Sequence, residues 1–226
     1  MTQSTVIVAA HPDDEVLGCG GTIAKLAKVG VSVHVTFLAD GVSSRHGQSE
    51  SRTELVARRA SAHAACELLR VESVSFGEFP DNRLDTIPLL DSVKVVEALI
   101  QKYQPSTVFT HHAGDVNIDH RRVHEAVVAA CRPQSGHPVK RLLCFEVPSS
   151  TEWQLPNSAP PFVPNWFEDI SDTLDQKLAA LDAYSAELRD WPHPRSRQGV
   201  EHLVRWRGAT VGMNAAEAFV LGRQLA

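Results

Sequence analysis

Apolar, β-branched runs recur along the chain, and helix-like spacing fills the gaps between them. The runs are TVIVAA, VSVHVTFLA, SVSFGEF, STVFTHH and RLLCFEV, each of a length that suits a buried strand. Between them the spacing predicts helices over Glu15–Val29, over SESRTELVARRASAHAACELLR, over Pro88–Tyr103 and over Asp119–Cys131. Strands alternating with helices imply an α/β fold of three layers, a mostly parallel sheet with helices on both faces. Sites in such sheets form outside the carboxyl ends of the strands. Two polar clusters fall there: AHPDDE after the first run and HHAGDVNIDH after the fourth.

Past the fifth run the rhythm breaks. PSSTEWQLPNSAPPFVP, Pro148 to Pro164, carries five prolines and little periodicity. A long irregular stretch in a compact domain is either a surface excursion or a lid, here an active-site loop within 148–170. SDTLDQKLAALDAYSAEL then predicts a helix capped by Ser171 or Asp172, followed by WPHPRSR and a helical tail. With no internal repeats, the 226 residues are expected to form a single domain, 1–226.

Composition narrows the function. Apolar residues make up 43% and charged residues 22%, as in a soluble globular protein. The net charge of −5 argues against a general nucleic-acid binder, which needs a basic excess. No run of 18 apolar residues offers a membrane span. The N-terminus lacks the basic region of a signal peptide, so a cytoplasmic protein is expected. Its four scattered cysteines suit free buried thiols.

A histidine, a proline and three carboxylates at the end of a buried strand demand a cation, a ligand or a helix N-terminus. A catalytic zinc takes three protein ligands and leaves one position open, and two histidines with a carboxylate form one standard set. His11 and Asp14 are close enough in sequence to chelate one ion, with Pro12 fixing the turn, and His120 would arrive from the second cluster. Asp13 would then be free to take a proton from water. The alternative is that Asp13, Asp14 and Glu15 only cap the following helix, where acids are favoured. Capping accounts for the acids but not for His11 or Pro12. Glycines in GCGG, Gly18 to Gly21, cost about 1 kcal/mol each inside a helix relative to alanine, so they imply close packing or a ligand nearby.

AHPDDEVLGCGG, LADG, FPDNRLD, DVNIDHRRVHEAV and the PHPRS…RGATVGMNAAEAF tail together resemble the LmbE-like, or PIG-L, N-acetylglucosaminyl deacetylases, in the family's order. The resemblance implies a Rossmann-like fold, a zinc ion (Zn2+) and hydrolysis of an N-acyl group. It implies His11, Asp14 and His120 as metal ligands and Asp13 as general base. Trimers and hexamers occur among family members, so a homo-oligomer is possible.

One motif departs from the family. Many members read HPDH where this chain has NIDH, Asn117 to His120. Asn117 can donate a neutral hydrogen bond to an oxyanion but cannot act as a cationic acid. His193, between two prolines, is the candidate for that role, against the alternative of an exposed turn residue. The resemblance implies an arginine near Arg58 that reaches the substrate or an acid in the site, against the alternative of a solvated helix face. Asp81, Asn82 and Arg83 are candidates for substrate contact, or else for turn chemistry. Asp40 is expected either to orient a ligand histidine or to start the turn with Gly41. Trp153, Trp166 and Trp191 suit either sugar stacking or the core.

These readings converge on a zinc-dependent hydrolase that removes an N-acetyl group from an N-acetylglucosamine-like amino sugar or its conjugate. The alternative is an amidase acting on another N-acylated small molecule. Two histidines and a carboxylate also serve non-haem iron oxygenases, but those typically carry HxD on a β jelly-roll rather than HxxD in a β/α pattern. A non-catalytic sugar-binding domain would not need Asp13.

Overall fold

A computed structural model describes residues 3–41 and 48–226. The chain alternates β1 (Ser4–Ala9), α1 (Asp14–Lys28), β2 (Ser32–Ala39), α2 (Gln48–Leu68), β3 (Ser73–Phe79), α3 (Leu89–Tyr103), β4 (Thr107–His111), α4 (Ile118–Ala130) and β5 (Arg141–Phe145). It ends with β6 (Trp166–Asp169), α5 (Leu174–Asp182), α6 (Arg197–Ala209) and β7 (Ala216–Gln224). The seven strands form one sheet in the order β3-β2-β1-β4-β5-β7-β6. The first five run parallel, while β7 is antiparallel to both of its neighbours.

Period-two alternation along β1 sorts its side chains between two cores. Ile7 and Ala9 face a cluster built with Val16 and Ile23 of α1, Ala62 and Ala65 of α2, and Ala180 and Leu181 of α5. Val6 and Val8 face the opposite cluster, with Val93 and Val96 of α3 and Val123 and Val127 of α4. Helices thus cover both faces, as the alternation of runs implies. The expected helical tail is only partly helical: α6 is followed by β7, which enters the sheet between β5 and β6. Ser171 and Asp172 do not cap α5. Thr173 occupies that position, and its hydroxyl donates to Gly21 O at 2.8 Å.

The glycines after the first motif pack closely. A Cβ on Gly18 would stand 2.4 Å from the Phe145 ring, and one on Gly21 would stand 2.8 Å from Ile170. Between them α1 breaks at Cys19, at φ −149°. A fully buried pair bridges the break. Lys177 Nζ donates to Val16 O and Leu17 O at 2.7 and 2.9 Å and to Glu217 Oε1 at 2.6 Å. Glu217 in turn accepts from the amides of Gly21 and Thr22 at 2.9 and 2.7 Å. The chain order reverses between β1 and β4, and the crevice at such a switch point is where α/β sheets bind ligands.

Candidate metal centre

β1 delivers its chain into a buried turn, His11-Pro12-Asp13-Asp14. Its acids do not cap α1. Asp13 occupies the N-cap position at φ 112° but makes no side-chain cap bond. Asp14 Oδ2 instead accepts from His11 N at 2.8 Å, and Glu15 Oε2 accepts from Asp13 N at 3.0 Å. Tyr184 donates to the other oxygen of Glu15 at 2.7 Å. From β4, His111 Nε2 accepts from Ala10 N at 2.8 Å and pins the strand end.

His120, at the start of α4, completes a buried trio. Asp14 Oδ2 lies 3.4 Å from His11 Nδ1 and 3.4 Å from His120 Nε2. A tetrahedral ion with ligands about 2.1 Å away has donors about 3.4 Å apart, the spacing of each histidine nitrogen from Asp14 Oδ2, and ligand atoms of the three residues lie within 4.8 Å of one another. The other ring nitrogens are held from behind. His11 Nε2 lies 2.9 Å from Asp119 Oδ2 and 3.0 Å from Asp81 Oδ1, both hydrogen-bond distances. Asp119 is itself fixed by the amides of Asn82 and Leu84, at 2.7 and 2.9 Å. His120 Nδ1 lies 3.2 Å from Asp115 Oδ2. His11, Asp81 and Asp119 form a second grouping that could hold an ion, but their spacing is that of carboxylates orienting a ligand imidazole.

The charge balance points the same way. Burial opposes a charge on His120, yet Asp14 and Asp115 push its pKa up to about 9. Burial likewise opposes a charge on His11, and Asp119, Asp14 and Asp81 overcome it. Asp14 is held well below the usual carboxylate range: the histidines, His120 first, outweigh its burial. A buried cluster that draws protons onto both histidines has an excess of negative charge, which a divalent cation would neutralise.

Asp13 stands apart from the trio. Arg195 Nη1 donates to its Oδ2 at 3.0 Å, and Arg58 Nη2 lies 3.8 Å from the same oxygen. Arg58 is not on a solvated face. It is buried, with Nη1 on Glu187 at 2.9 Å and Nη2 on Pro12 O at 3.0 Å, so it braces the turn from α2. Asp81 joins the supports of His11, Asn82 turns the chain at φ 53°, and Arg83 is exposed. Asn117 caps α4: its Oδ1 accepts from Asp119 N at 2.8 Å and its Nδ2 donates to Asn82 Oδ1 at 3.2 Å. His193 Nδ1 accepts from Arg195 N at 3.1 Å, which leaves the proton on Nε2.

The proline-rich stretch is anchored at this edge. Ser150 and Thr151 donate to the two oxygens of Asp115 at 2.5 and 2.6 Å, and His112 Nε2 meets Pro160 O at 3.0 Å. The indole of Trp153 is half exposed and stands edge-on to His193, with ring centroids 5.5 Å apart. Trp191 lies against His202 instead, and Trp166 carries Arg141 on its face and lies in β6. Sequence reasoning missed Asp115, Asp119 and Arg195. The first two lie inside DVNIDH and Arg195 lies inside PHPRS, so each could have been suspected from its motif, though not the partner it meets.

The family model described as PIG-L, GlcNAc-PI de-N-acetylase, matches residues 6–131, more than half of the chain. The chain belongs to the PIG-L family. The matched segment contains the whole trio but neither the proline-rich stretch nor Arg195. Among its relatives is an uncharacterized deacetylase, YaiS, of Escherichia coli, 29% identical over 185 residues, covering 79% of this chain and 89% of that one. A probable N-acetyl-alpha-D-glucosaminyl L-malate deacetylase 2 of Bacillus cereus is 28% identical, covering 83% and 84%. The 4-oxalmesaconate hydratase of Pseudomonas putida is 27% identical, covering 99% and 88%. The solved structure of the conserved protein TT1542 from Thermus thermophilus superposes with a TM-score of 0.77 at 27% identity, over 100% of this chain and 97% of that one. Among the described residues no helix is long and apolar enough to cross a membrane.

Proposed function

We propose that the chain is a zinc-dependent deacetylase acting on the N-acetyl group of an N-acetylglucosamine-like amino sugar or its conjugate. The observation that carries this reading is the buried His11, Asp14 and His120 trio, with both histidines 3.4 Å from the carboxylate, next in sequence to a carboxylate outside it. Zinc held there would polarise the acyl carbonyl and acidify a water. Asp13 takes a proton from the attacking water. Arg195 donates to its Oδ2 and Arg58 lies 3.8 Å from the same oxygen, so Oδ1 is the oxygen available for that transfer. The same carboxyl then returns the proton to the amine as the C–N bond breaks. Asn117 has its amide committed to the helix cap and to Asn82, so His193, with its proton on Nε2, is the better donor to the oxyanion.

The test is acetate release from a panel of N-acetyl amino sugars and their glycosides. Release should require zinc, stop on chelation, and fall by roughly 10²–10⁴-fold in Asp13→Asn while zinc stays bound. No release from any member by the zinc-loaded protein would sink the reading. A second reading is favoured by the near-complete coverage of the chain by the hydratase relative. The same activated water would then add across a carbon–carbon double bond of an unsaturated acid. Loss of conjugated-acid absorbance without acetate release would select it.

A further inference from the structure

We propose that Arg195 is a positioning residue for the base, and that one turn, Ser149 to Thr151, braces the base and a metal ligand together. The inference rests on Asp13 being the base of the reaction proposed above.

Three contacts fix this arginine. Nη1 donates to Asp13 Oδ2 at 3.0 Å, Nε donates to Ser149 Oγ at 3.0 Å, and its backbone N donates to His193 Nδ1 at 3.1 Å. Its backbone is anchored as well. Ser196, the next residue, is buried and caps α6, accepting from Gly199 N at 2.9 Å. The guanidinium therefore reaches the base from a rigid helix start. Arg58 does not duplicate it, since its Nη atoms hold Glu187 and Pro12 O and it lies at 3.8 Å from Asp13.

At the other end of the fork is Ser149. Its amide donates to Glu152 Oε1 at 2.6 Å, so it belongs to the tight turn in which Ser150 and Thr151 grip Asp115. Asp115 in turn holds His120 Nδ1 at 3.2 Å. The turn thus grips the base through Arg195 and a metal ligand through Asp115. Asp13 needs such a hold, because a non-glycine residue at φ 112° adopts that backbone only when its surroundings impose it. A planar fork with two fixed donors can span carboxylate and hydroxyl at once, which a lysine cannot do.

The experiment uses the zinc-loaded full chain. In Arg195→Ala, zinc content and KM should stay within about two- to three-fold of the parent. The kcat should fall on the order of 10²-fold, the cost of a reacting group misplaced by about 1 Å. Added guanidinium at non-denaturing concentration should recover part of the loss, and Arg195→Lys should recover less than the native side chain. A kcat within two-fold of the parent, or a kcat that saturating zinc restores in full, would overturn the proposal. Hydrogen exchange gives an arm independent of turnover. The amides of Ser150 and Thr151 bond to Val147 O at 3.1 and 2.9 Å and should exchange faster in Arg195→Ala. Unchanged protection would overturn the brace. If the parent releases no acetate at all, the deacetylase reading fails, and the exchange measurement still decides whether Arg195 holds the turn.

Discussion

Asn117 shows how one side chain can be read two ways until its contacts are seen. Sequence placed it where the family's motif carries a histidine, and so made it an oxyanion candidate. In the fold its amide is an N-cap with a second bond to Asn82. Asn117→Ala should therefore cost stability, about 1 kcal/mol for a lost cap, with turnover falling only a few-fold. His193→Gln should do the reverse, leaving the urea midpoint unchanged and lowering kcat by about 10²-fold. Equal effects of both variants on kcat would return the oxyanion role to Asn117. The trio was legible because its members sit in two short, chemically odd stretches. Asp14 lies three positions from His11, and His120 sits beside an aspartate that supports His11. Asp13 and Arg195 meet across 182 positions, a pairing that no window of sequence contains. Glu187 was invisible for the same reason, so the resemblance could place Arg58 near an acid of the site but not on Glu187.

Among the elements, the first nine were readable from apolar spacing within a residue or two, because each buries a face whose period declares it. The last two strands were not. Trp166–Asp169 is four residues long with two acids, and the run from Ala216 opens with AEAF, which favours a helix in isolation. Pairing with β5 overrides that preference. The break in α1 was hinted at by GCGG, but the side chains that accommodate it come from α5 and β7. Lys177→Met would leave Glu217 buried without its cation and should cost roughly 3–5 kcal/mol, measured by urea unfolding. Making both positions apolar should not recover this stability, because the amides of Gly21 and Thr22 would then lose their acceptor. Full recovery in the double variant would mean that the pair does not support the broken helix.

For the whole molecule, the trio joins α1 to α4 across the switch point of the sheet, so its occupancy should be felt in global stability. Zinc at 100 times its Kd adds about 2.7 kcal/mol to a folded state that alone binds it, which is roughly 5–10 °C in Tm for a domain of this size. Chelation should lower the melting temperature by that amount, and His120→Ala should melt at the same temperature with or without chelator. A Tm indifferent to chelation in the parent would place the metal elsewhere. The Ser149–Thr151 turn also bears on how such a molecule can diversify. The stretch beyond it, out to Pro164, lies outside the segment that the family model matches, and is where chain could be exchanged for the corresponding stretch of a relative. The hydroxyls of Ser149, Ser150 and Thr151 are not part of that freedom, since they hold Arg195 and Asp115. A graft that keeps those three hydroxyls should leave the settings of Asp13 and His120 as they are; one that begins a few residues earlier should slacken both at once.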